Sequence, residues 1–81
     1  MNDKTVRDVM LDTVLNQINT NDPPEARETY DRLFDGGRSN NEALQLMAQA
    51  LRTEMDRMLK EGTPFDNAKY AALLAKIPTE G

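Results

Sequence analysis

An all-α fold, a small bundle of four helical segments around a central antiparallel helical hairpin, is what this 81-residue sequence predicts. Apolar residues recur three and four apart along each long segment, and no stretch alternates apolar with polar residues long enough to make a strand. Capping residues, prolines and glycines mark the ends of the segments. A chain of 81 residues has room for one domain, so 1–81 is read as a single helical unit, with helices at about 3–19, 23–35, 40–60 and 67–77.

In the first segment Met10, Val14 and Ile18 fall four apart, with Leu11 and Leu15 beside them and Val9 outside the main stripe. The run Asn19, Thr20, Asn21, Asp22 offers side chains that compete for backbone hydrogen bonds, and Pro23 blocks continuation. Asp22, Pro23, Pro24, Glu25 then read as a helix start, with Asp22 as the N-cap and Glu25 closing a capping box. Ala26, Tyr30, Leu33 and Phe34 form the apolar stripe of this second helix, and the Gly36-Gly37 pair supplies the left-handed residue that ends it.

Ser39, with Glu42 three residues on, repeats the capping box and opens the third helix, so helices two and three are expected to form the hairpin. Leu44, Ala48, Leu51, Met55 and Met58 give that helix its stripe, and Glu54 borders it as a flank residue that snorkels or pairs with an arginine. Gly62 and Pro64 end the segment. Asp66 caps the fourth helix, and Phe65 and Tyr70 sit where a hydrophobic staple fixes the entry angle. Tyr70, Leu73, Leu74 and Ile77 make the last stripe, Pro78 closes it, and residues 79–81 are expected to fray. Whether the first helix completes this core or is exchanged with a second copy is left open by the pattern.

The runs DPPEARETYDRLFDGG, SNNEA and MLKEGTPFD, together with Tyr70, resemble segments of short all-helical proteins of bacteria to which no activity attaches. The resemblance spans about 21–78 and leaves the first helix outside it. It implies a bacterial origin and a helical fold and brings no reaction with it.

The composition excludes much chemistry. Histidine and cysteine are absent, which removes the usual switch near neutral pH, the thiol nucleophile and the nitrogen and sulfur ligands of zinc; no metal site and no cofactor is expected. Lack of cysteine fits a reducing, cytoplasmic setting. No apolar run approaches the roughly 20 residues of a membrane span, and Met1, Asn2, Asp3, Lys4 lack the apolar core of a signal peptide, so no membrane role is expected. The formal net charge of −4 disfavours phosphate-backbone binding, and nucleic acid is not an expected partner. Without a nucleophile and base constellation, no enzyme is expected; a catalytic site would need a pocket gathering Glu54, Arg57 or Tyr70.

Three features are candidate sites. Glu28, Asp31 and Asp35 share the polar side of helix two, which carries five acids between 22 and 37 against Arg27 and Arg32; the face suits a basic partner or a loosely held hard cation, or is simply solvated, with Glu28 pairing to Arg32. Gly37, Arg38 and Ser39 lead into a helix N-terminus, where amides and dipole favour an anion, although a helix stop followed by an N-cap explains the same residues. Leu46 projects away from the Leu44 and Leu51 stripe, and Met47, Met55 and Met58 can re-pack around a partner. The expectation is therefore a non-catalytic protein-protein interaction or regulatory module, with a protein partner or a homodimer. Its alternative is a small-ligand or ion-binding protein using the acidic face or the turn at 36–39.

Overall fold

The computed structural model describes residues 5–79, and four helices account for most of them: α1 (Val6–Thr20), α2 (Pro24–Asp35), α3 (Asn40–Glu61) and α4 (Asn67–Ala75). No strand occurs among the described residues. The expected Asp3 start of the first helix lies outside them. Thr5 begins α1 instead: its hydroxyl accepts from the Asp8 amide at 3.2 Å and the Asp8 carboxylate accepts from the Thr5 amide at 3.2 Å. This is a capping box with aspartate in place of the longer glutamate. α1 ends on Asn21, in the left-handed region at φ 55°, which asparagine tolerates better than most side chains.

The start of α2 corrects the sequence reading. The helix begins one residue later than the Asp22 cap requires, with Pro23 as the extended N-cap residue, Pro24 as the first helical residue and no side-chain capping bond. Two successive prolines explain the shift. Pro24 disfavours helical backbone at Pro23, so Pro23 stays extended and Pro24 takes the first position, where its missing N–H costs nothing. Asp22 and Glu25 are thereby each displaced from the positions a capping box needs.

The α2–α3 turn follows expectation. Gly37 adopts φ 98°, the Arg38 amide reaches back to the Leu33 carbonyl at 3.1 Å, and Ser39 and Glu42 exchange amide bonds at 3.1 and 3.3 Å. So does the start of α4. One Asp66 carboxylate oxygen accepts from Ala68 and Lys69, and Phe65 meets Tyr70 edge-on with ring centroids 5.7 Å apart. The regular helix stops at Ala75, and the Lys76 and Ile77 amides tighten the last turn by bonding three residues back.

α3 is the packing hub, in contact with α1, α2 and α4. Val14 from α1, Leu33 from α2, Met47 and Leu51 from α3, and Tyr70 and Leu74 from α4 meet in one buried cluster. In the single chain α1 packs on α2 and α3. Its outer residues are less covered than the sequence stripe suggests: Leu11 is half-buried and Leu15 exposed.

Two arginines bind the C-terminal segment to the end of α2. The Arg32 guanidinium donates to the carbonyls of Leu74 at 3.1 Å and Ile77 at 2.9 Å and to the Thr79 hydroxyl, and Arg38 donates twice to the Pro78 carbonyl at 3.0 and 2.8 Å. The expected Glu28 pairing of Arg32 is therefore replaced. The carbonyls left unpaired at the end of α4 give the guanidinium several fixed acceptors at once, whereas a single solvated ion pair on one helix contributes little. Thr79 is held rather than frayed; residues 80–81 lie outside the described residues.

Candidate interaction surfaces

The most perturbed ionisable groups among the described residues sit where α3 turns into α4. Glu54, one turn beyond Ala50 on α3, is only 1% exposed. Arg57 grips it with two parallel bonds, Nε to Oε1 at 2.7 Å and Nη2 to Oε2 at 2.6 Å, and the Asp66 amide donates to Oε2 at 2.8 Å. Arg57 then donates to the Glu61 carboxylate at 3.1 Å, the Thr63 hydroxyl at 2.7 Å and the Pro64 carbonyl at 3.1 Å. All five guanidinium protons are engaged.

The guanidinium beside Glu54 holds its carboxyl at about 2, against an ordinary value near 4.5, with the opposing cost of desolvation overcome by the hydrogen bonds. Arg57 is shifted upward by the same contact. A carboxylate held ionised, with both oxygens occupied, is poorly suited to exchange protons near neutrality. The cluster is a clasp that sets the α3–α4 turn. Tyr70 is also structural: burial pushes its phenol up to about 12, and its hydroxyl donates to Gln17 Oε1 at 2.7 Å, tying α4 to α1.

The residues singled out in the sequence are scattered rather than gathered. Met47 is fully buried and offers no free apolar face, and Leu46, half-buried against the core, presents only part of one. The reason is that α3 has neighbours on three sides, which widens its buried arc past the Leu44 and Leu51 stripe. Glu28, Asp31 and Asp35 are exposed on α2, with Asp31 paired to Arg27 at 3.3 Å. In the turn, the Ser39 amide and hydroxyl are used in the capping box and Arg38 is committed to Pro78, leaving Gly37 beside donors already taken.

The apolar surface lies elsewhere. Phe34 is 52% exposed and stacks on half-buried Tyr30 with ring centroids 6.0 Å apart, while the Tyr30 hydroxyl donates to Asn40 at 2.6 Å. This corrects the reading of Phe34 as a core residue, since Leu33 takes that place and Phe34 points about 100° further round the helix. Val6 and Val9, at 55% and 47%, are exposed in the first turns of α1. α1 and α2 pack on each other and are joined by the short 21–23 connection, so the start of α1 and the end of α2 both lie away from that connection. Sequence had marked Val9 as lying outside the stripe but gave no sign that Phe34 would join it.

Compared with protein-family models, with curated proteins and with solved structures, the chain matches none. No helix among the described residues is long and apolar enough to cross a membrane.

Proposed function

We propose that the protein is a non-catalytic protein-interaction or regulatory module, acting in the bacterial cytoplasm, whose contact surface is the Val6, Val9, Tyr30 and Phe34 end of the α1–α2 pair. The observation that carries this is the half-exposed, stacked Phe34. Aromatic side chains are the usual anchors of protein interfaces, and one held rigid against a bonded tyrosine loses little conformational freedom on docking. The clasped state of Glu54 and Arg57 supports a role without acid-base chemistry.

The test is affinity capture from a lysate of the source cell with the wild-type chain and the Phe34→Ser variant in parallel. The expected result is a stoichiometric partner, another protein or further copies of the chain, that the variant fails to retain. Equal recovery by both forms would remove Phe34 from the interface and with it this reading.

A further inference from the structure

A second surface has a different chemistry. Where α1 meets α3, a groove of about 280 Å³ has Met10 and Ala48 in its floor and Arg7, Gln45, Gln49 and Arg52 among its walls. Among the described residues no carboxylate lines it, although the chain carries 14 acids against 10 bases.

The state of those four polar side chains sets the groove apart. Arg32, Arg38 and Arg57 are all committed to carbonyls, hydroxyls or carboxylates within the fold. Arg7, Gln45 and Gln49, by contrast, make no side-chain hydrogen bond or ion pair with another described residue. Arg52 has only an exposed contact with Asp56 at 3.9 Å, longer than a hydrogen bond. Two guanidiniums and two amides thus face one cleft with donors to offer, over an apolar floor.

We propose that this groove binds an acidic peptide segment of a partner protein, an apolar side chain resting on Met10 and Ala48 between carboxylates that pair with Arg7 and Arg52. Charge decides the sign of the ligand: guanidiniums bind carboxylates in a planar, two-pronged geometry, and the glutamine amides can satisfy either a carboxylate or an extended peptide backbone. Size decides its class. The volume lies just below the roughly 300–1,000 Å³ of small-molecule sites and accommodates one or two side chains of a segment whose flanks remain outside.

This site stands apart from the Phe34 surface and is tested separately. The isotope-labelled chain is titrated with a blocked hexapeptide of two leucines flanked on each side by two glutamates, and with its glutamine counterpart, following amide signals by NMR. Saturable shifts at Gln45, Ala48 and Gln49 are expected with the glutamate peptide and not with the glutamine one. Replacing the exposed pair together, Arg7→Gln with Arg52→Gln, should leave the spectrum dispersed and weaken binding by about twofold to thirtyfold, the range for two exposed ion pairs. Absence of saturable shifts, unchanged affinity in the double variant, or shifts centred elsewhere would overturn the proposal. So would inorganic phosphate giving the same shifts at the same affinity, which would make the groove a simple anion site.

Discussion

Arg57 holds Glu54 through two parallel hydrogen bonds of 2.7 and 2.6 Å while its remaining protons reach Glu61, Thr63 and Pro64, so one guanidinium joins the end of α3 to the whole of the α3–α4 turn. The Asp66 amide, bonded to the same Glu54 carboxylate, extends the connection to the first residue of α4's cap. Charged pairs this well satisfied fix geometry, and loss of one member leaves the other uncompensated. Arg57→Leu is therefore expected to lower the melting temperature more than the double replacement Glu54→Leu with Arg57→Leu, in which no lone buried charge remains. Thermal unfolding of the two variants side by side checks the order.

The clasp also sets a pH dependence. With its folded-state value near 2 and its ordinary value near 4.5, Glu54 binds fewer protons in the folded chain than in the unfolded one across that interval. Its stabilisation is complete above about pH 4.5 and disappears as pH falls toward 2. Wild-type melting temperature should fall through this window. Glu54→Gln should start lower at neutral pH and change less across it.

Tyr70 gives the opposite limb. Its phenol, raised from 10.0 to about 12 by burial, contributes stability that is complete below pH 10 and lost as pH rises through 12. Tyr70→Phe should remove that alkaline loss and, by deleting the bond to Gln17, cost about 0.5–1.5 kcal/mol at neutral pH in denaturant unfolding.

Neighbouring glycines should fail in different ways. A Cβ on Gly36 would stand 2.4 Å from the Thr79 methyl and 2.9 Å from the Thr79 carbonyl, whereas one on Gly37 meets nothing within 4 Å but sits at φ 98°. Gly36→Ala should dislodge the C-terminal segment, seen as faster amide exchange at Ile77 and Thr79. Gly37→Ala should cost about 1 kcal/mol of backbone strain with that exchange unchanged.

Leu33 and Phe34, adjacent in sequence, should separate stability from binding. Leu33 is fully buried, and Leu33→Ala is expected to destabilise by about 2–5 kcal/mol. Phe34→Ser, at a half-exposed position, gives up the stack on Tyr30 and should cost about 0.5–1.5 kcal/mol in the same denaturant titration.

Local chemistry was the legible part of the sequence. The Ser39 and Glu42 box, the left-handed Gly37 and Gly62, the Asp66 cap and the Phe65 and Tyr70 staple each depend on residues within five positions of one another, and all are present as read. Thr5 was missed because aspartate three residues on is a weaker box signal than glutamate. What required tertiary information was hidden. The burial of Leu46 and Met47 follows from α3 having three neighbours; the grip of Arg32 on Leu74 and Ile77 joins residues more than forty positions apart; the groove beside Arg7 exists only once α1 lies on α3. Helical periodicity names a face, but the width of the buried arc is set by how many elements meet it. The two exposed valines and Phe34 came to light for the same reason.

Methyl and aromatic NMR of the labelled chain, added to a lysate of its source cell, asks whether the distal end of α1 and α2 is the contact surface. Signals of Val6, Val9 and Phe34 should broaden or shift selectively, while Leu59, 75% exposed on α3, stays sharp as the internal control. Uniform behaviour of all four residues, or broadening confined to Leu59, would place the contact surface elsewhere on the molecule.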